Sequence, residues 1–135
     1  MSNHELSIET FNALQSANFH ITQSLPSKLD GISFQKFGVL KAICQNENAT
    51  PKLILQELKL SGPLLTHILN YLEKNGFIQR KQVKEDRRSF SLKSTTKGKK
   101  SFQKHKDDYD QAIANALSTF SQNELKQVKQ LLSKL

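Results

Sequence analysis

Residues 61–98 place a candidate recognition helix directly before a basic hairpin, and few architectures accommodate that order. Leu65, Ile68, Leu69 and Leu72 recur at the spacing of one buried helical stripe, and Leu60-Ser61-Gly62 forms the turn that opens it. Asn75-Gly76 ends it with a residue free to take the left-handed conformation. Residues 78–84 and 89–93 then read as two short strands, with Phe90 and Leu92 sharing a face and Glu85-Asp86-Arg87-Arg88 at the tip between them. Thr95 or Thr96 caps the next helix. A groove-sized helix followed by a positively charged wing predicts a winged helix-turn-helix. The helix side chains can read base edges, while the wing grips the backbone or the minor groove.

The rest of the chain supplies helices around this pair. Residues 8–25 are helical in pattern, with Phe11, Leu14, Ile21 and Leu25 on one side and Phe19 off it. Pro26 ends that helix, and Asp30-Gly31 marks a turn. Ser33 caps a second helix with Phe37, Leu40 and Cys44 as its inner face. Thr50-Pro51 opens a short third one carrying Ile54, Leu55 and Leu58. The helix after the wing runs to about residue 117, with Phe102, Tyr109, Ile113 and Phe120 along its apolar side. Ser121-Gln-Asn-Glu124 is a capping box that launches a last helix bearing Leu125, Val128, Leu131, Leu132 and Leu135. The expected fold is mainly α with a two-stranded β-wing, six helices in all. One domain over residues 1–135 would comprise a DNA-binding lobe at 33–98 and terminal helices, 1–30 and 96–135, that form a dimer interface.

Charge points the same way. The net charge is +8, yet residues 1–51 and 107–135 each hold three lysines against four acids. Residues 52–106 hold fourteen Lys and Arg against four acids, so the whole excess lies in the segment carrying the motif. A block this local favours a polyanionic partner, double-stranded DNA above all. No apolar run approaches a membrane span, the first residues are polar, and a single cysteine fits a reducing cytoplasm. No phosphate-cradling glycine loop, His-Glu-x-x-His or nucleophile with an evident base is present, so neither an enzyme nor a cofactor is expected.

On the candidate recognition helix, 100° per residue sets Pro63, His67, Asn70 and Lys74 opposite the leucine stripe, with Thr66 to one side and Leu64 and Tyr71 to the other. Asn can make a paired contact with adenine, while His and Thr can donate or accept. The bland alternative is an ordinary exposed polar face. The position between a short helix and a wing argues for the DNA reading. Residues 80–106 hold eleven Lys and Arg against two acids, starting at Arg80. At the hairpin tip Asp86 and Arg88 are spaced so that the acid can hold the guanidinium in one pose, with Arg87 between them. Ser61 and Gly62 complete the expected DNA-facing set. Cys44 reads as a buried core thiol, with no basic neighbour in sequence to lower its pKa. His105 and Asp108 share a helical face, which is at most half of a metal site, and no metal site is expected.

These residues resemble the MarR family of bacterial transcriptional regulators. The likeness is most specific at Leu72-Glu-Lys-Asn-Gly-Phe-Ile-Gln-Arg80, at Asp86-Arg-Arg-Ser89 and at Thr95-x-x-Gly98. It covers residues 33–98 well and the flanking helices by order and length. The resemblance implies a homodimer with intertwined terminal helices, the fourth helix in the major groove and a wing arginine in the minor groove. It makes Arg88 that arginine, Asp86 its partner and Thr66 the recognition-helix threonine. It also implies a small-molecule effector in the crevice between the dimer helices and the DNA-binding lobe. His67 stands where a basic residue is frequent, and Cys44 is not placed as in the organic-hydroperoxide-sensing branch. The expected function is a sequence-specific regulator, a repressor on a pseudopalindromic operator. The alternative is a winged-helix module that meets protein or RNA without reading DNA, for which Leu64 and Tyr71 offer apolar surface.

Overall fold

A computed structural model describes the backbone of residues 1–83 and 86–135, and the side chains of residues 1–83 and 90–135. Among the described residues, six helices and two small antiparallel sheets follow in the order α1 (Asn3–Ser24), β1 (Lys28–Leu29), β2 (Ile32–Ser33), α2 (Phe34–Cys44), α3 (Pro51–Leu58), α4 (Gly62–Lys74), β3 (Ile78–Val83), β4 (Asp86–Ser94), α5 (Thr96–Ala116) and α6 (Gln122–Leu132). They form two compact units, Ser27–Tyr109 and Met1–Pro26 with Asp110–Leu135.

Local chemistry sets most boundaries. Ser33, Thr50, Ser61 and Ser121 each cap a helix, their hydroxyl oxygens accepting from the third backbone N–H beyond. Helix α1 starts at Asn3, five residues before the expected position, because Ser2 and Glu5 close a capping box. The Asp30-Gly31 turn, with φ of 54° and 76°, joins β1 to β2, a hairpin too short to leave an alternating pattern in the sequence.

The core of the Ser27–Tyr109 unit gathers Ile32, Phe37, Leu40, Ile43, Ile54, Leu65, Ile68, Leu72, Ile78 and Leu92, all essentially inaccessible. Helix α2 departs from the expected inner face. Val39, Ala42 and Ile43 are buried together with Phe37 and Leu40, because α2 packs against α3, α4 and β4 at once. Cys44, expected in the core, is only half-buried at its margin. Helices α3 and α4 keep their expected stripes, with Ile54 buried in one and Leu65, Ile68, Leu69 and Leu72 in the other. Lys59 takes the left-handed conformation at the end of α3, its φ of 53° turning the chain sharply toward α4.

Strands β3 and β4 pair in antiparallel register, with Arg80 opposite Leu92 and Gln79 opposite Lys93. Strand β4 is longer than expected and also reaches the loop before α3, where the Leu92 N–H donates to the Ala49 carbonyl at 2.8 Å. Side chains two apart share a face of a strand, so Arg80 lies on the same side as buried Ile78, while Lys81 and Gln79 face outward.

The other unit is different in character. No residue of α1 or α6 is buried. Phe11, Leu14 and Phe19 of α1 and Leu125, Val128, Leu131 and Leu132 of α6 are exposed, Phe19 and Leu131 by 60% each. A groove of about 650 Å³ in this unit is lined by Leu14, Ile21, Leu117, Phe120, Val128 and Leu132 among others.

Candidate nucleic-acid interface

The α4 helix presents its polar side as the sequence predicts. Ser61, Gly62, Pro63, Thr66, His67, Asn70 and Lys74 are exposed, opposite the fully buried leucine stripe. The Ser61 hydroxyl accepts from the Leu64 N–H at 3.3 Å, so it serves the helix start. The Thr66 hydroxyl donates to the Gly62 carbonyl at 3.0 Å, which leaves its oxygen able to accept. Leu64 and Tyr71 are half-buried and pack on the core, and the Lys36 ammonium sits 4.0 Å from the centre of the Tyr71 ring. They expose little apolar surface beside the polar face.

Arg80 is placed differently from the other expected contact residues. Its guanidinium turns inward from β3, donating to Asn70 Oδ1 at 2.7 Å and to Glu73 Oε1 at 2.9 Å, and its side chain is 25% exposed. The Arg80 backbone N–H donates to the other oxygen of Glu73 at 3.2 Å. The hydrogen bond from Arg80 and its positive charge hold the Glu73 carboxyl below the usual carboxylate range. The group therefore joins α4 to the wing as a strut. The expectation of a paired Asn70–adenine contact changes with it, since the amide oxygen is turned toward Arg80. The lone outward Asn was visible in the sequence; Glu73 as its co-partner was not, although Leu72-Glu…Arg80 carried the spacing.

A second fastening lies behind α4. The Thr95 hydroxyl donates to the Gly76 carbonyl at 2.6 Å and accepts from the Gly98 N–H at 3.0 Å. The Lys97 ammonium donates to the Asn75 carbonyl at 2.7 Å and lies over the Phe77 ring. Thr95-x-x-Gly98 thus ties the start of α5 to the turn that ends α4. The sequence marked these residues without showing what they hold.

Asp86, Arg87 and Arg88 carry the expected wing contact, and their side chains lie outside the described residues. Around the wing, Lys74, Lys81, Lys93, Lys97, Lys99 and Lys100 are exposed.

Cys44 has a cationic neighbour that the sequence did not reveal, Lys99 of α5, with Ser94 beside it. Burial nevertheless pushes the thiol up, outweighing both. His105 has its nearest carboxylate in Asp30, 3.3 Å away in the β1–β2 turn, with Asp108 at 4.0 Å. Among the described residues no group of three His, Cys, Asp or Glu is arranged to hold a metal ion.

An exposed polar helix face strutted to a two-stranded wing, over one continuous core, defines a winged helix-turn-helix protein. A family model described as the MarR family matches residues 30–89. The uncharacterized HTH-type transcriptional regulator YkoM of Bacillus subtilis is 32% identical over 108 residues, spanning 80% of this chain and 70% of that protein. A second regulator of that organism, YwhA, is 29% identical over 97 residues, 72% of this chain and 70% of its own length. Two solved structures share the fold. One is the MepR–DNA complex of S. aureus, with TM-score 0.75, 22% identity and coverage of 99% and 96%. The other is Sco3205 of Streptomyces coelicolor in complex with DNA, with TM-score 0.77, 17% identity and coverage of 98% and 86%. The chain belongs to the MarR family of transcriptional regulators.

Proposed function

We propose that this chain is a cytoplasmic repressor that binds a pseudopalindromic double-stranded operator as a homodimer. The observation that carries the reading is the outer face of α4, where Thr66, His67, Asn70 and Lys74 stand exposed opposite a buried stripe. That face can enter a major groove, with Ser61, Gly62, Pro63 and Leu64 at its leading end. Arg87 and Arg88 would meet the backbone or the minor groove, with Asp86 orienting the arginine. Arg80 acts through Asn70 and Glu73. MepR and Sco3205, of the same fold, are each known in complex with DNA, which supports this docking.

Dimerisation rests on the apolar faces of α1 and α6, which a two-fold partner would cover. Release by a small-molecule effector is part of the same proposal. No helix among the described residues is long and apolar enough to cross a membrane. The rival reading, a module for protein or RNA, loses its main support because Leu64 and Tyr71 are largely absorbed into the core.

Selection of bound sites from random duplex DNA tests the reading. Recovery of a two-fold motif with half-sites about 10 base pairs apart is the expected result. His67→Ala should relax preference at one position of each half-site. Selection that enriches no motif would leave the interaction module as the better account.

A further inference from the structure

The α4 residue best placed to discriminate bases is Asn70, and its surroundings determine what it can read. An arginine has only donors, so the amide atom facing the Arg80 guanidinium at 2.7 Å must be the carbonyl oxygen. The same Nη2 also donates to Glu73 Oε1 at 2.9 Å, and the other oxygen of Glu73 accepts from the Arg80 backbone N–H. Arg80 is thereby anchored at both ends to a helix whose opposite face is the core. The Asn70 amide cannot rotate to present its oxygen without setting its own NH2 against a guanidinium. Its Nδ2 has no partner among the described residues and lies on the exposed face with His67 and Lys74.

We infer that Asn70 is a specificity-determining residue that presents its amide NH2 outward, oriented by Arg80, and that it selects keto bases. In the major groove guanine offers N7 and O6 and thymine offers O4, all acceptors. Adenine also offers N7 as an acceptor, but its N6 amino donor stands beside it, so only one amide hydrogen is satisfied there, and cytosine presents only the N4 amino donor. The familiar paired Asn–adenine contact needs both amide atoms. Here the oxygen is turned to Arg80, with only its second lone pair left to accept. The inference rests on the proposed docking of α4 in the major groove, and it assigns Arg80 as a positioning residue for base readout rather than a phosphate contact.

The test is site selection from random duplex DNA by the full-length protein, run beside Asn70→Ala, Asn70→Asp and Arg80→Met. Wild type should show one position in each half-site whose preference disappears in Asn70→Ala. At that position guanine or thymine should be favoured over adenine and cytosine by roughly ten- to a hundredfold. Asn70→Asp keeps the bond to Arg80 but replaces the outward donor with an acceptor. It should reverse that one position toward cytosine or adenine while the rest of the motif persists. Arg80→Met frees the amide oxygen and should add adenine there. Asn70 is exposed, so its two variants remain informative even if Arg80→Met folds poorly. Adenine preferred by wild type at the Asn70-dependent position, or a keto preference that survives Asn70→Asp, would overturn the inference. A motif unaltered by Asn70→Ala would overturn it too, while leaving the DNA-binding reading intact. Only a wild-type protein that selects no motif would remove both.

Discussion

The carbonyl of Phe77 occupies the space where a side chain on Gly98 would have to begin: a β-carbon there would lie 2.1 Å from that oxygen and 3.4 Å from a Leu40 methyl. Phe77 closes the turn after α4, and Gly98 lies in the first turn of α5. The same carbonyl accepts from the Thr95 N–H at 3.0 Å, so the two segments are bound together at the point of closest approach. Thr95-x-x-Gly98 is therefore a packing motif that sets where α4 ends relative to α5.

Gly98→Ala should cost about 3 kcal/mol, because the obstacle is backbone and cannot swing aside as a flexible side chain would. Thermal or urea denaturation measures it directly. A variant as stable as wild type would mean that the close approach is relieved by a small shift of α5.

Stability should carry an acid limb traceable to Glu73. Its carboxyl is held below the usual range, first by the hydrogen bond from Arg80. For a depressed carboxylate the stabilisation is fully present above the unfolded value, about 4.3, and is lost as pH falls through the lower folded value. Glu73→Gln cannot lose it. The stability difference between wild type and Glu73→Gln should hold constant above about pH 5 and shrink toward pH 3. A difference independent of pH would show that the ion pair contributes little beyond its neutral hydrogen bonds.

DNA binding should weaken steeply with salt, since exposed lysines around the wing displace condensed cations from the duplex. A dimer neutralising about eight phosphates should give a log–log slope of about −7. Arg88→Ala should weaken specific and non-specific binding together if it meets the backbone, and should weaken A·T-rich flanks most if it reads minor-groove shape. A flat salt dependence together with an unaffected Arg88→Ala protein would displace the wing from the interface.

The protein should sediment as a dimer at micromolar concentration. Exposed Phe19 and Leu131, and the groove lined by Leu14, Ile21, Val128 and Leu132, leave apolar surface that a partner would cover. A two-fold partner would bury more than about 2,000 Å² in total. Leu131→Asp, or removal of residues 121–135, should shift the protein toward monomer and reduce operator affinity without touching DNA. Undiminished affinity in a monomeric variant would rule this arrangement out.

Much of the molecule was legible along the chain because its determinants are local. Caps at Ser33, Thr50, Ser61 and Ser121 act within one helical turn, and the Leu65–Leu72 stripe follows from helical period alone. The polar outer face of α4 follows from the same period. Where three elements converge, period stops being informative. Helix α2 is buried on several sides, so Phe37 and Leu40 were legible, but the burial of Val39, Ala42 and Ile43 and the margin position of Cys44 could not be read from spacing. The β1–β2 hairpin was missed because two-residue strands show no alternation. Tertiary structure alone decided the roles of charged and polar groups distant in sequence. Arg80 looked like one more cation in a basic run, and became a strut only when β3 laid it across Asn70 and Glu73. Lys99 came to Cys44, Asp30 to His105, and Phe77 to Gly98 in the same way. Hydrogen bonds and steric contacts act over a few ångströms of space, and sequence distance does not encode that proximity.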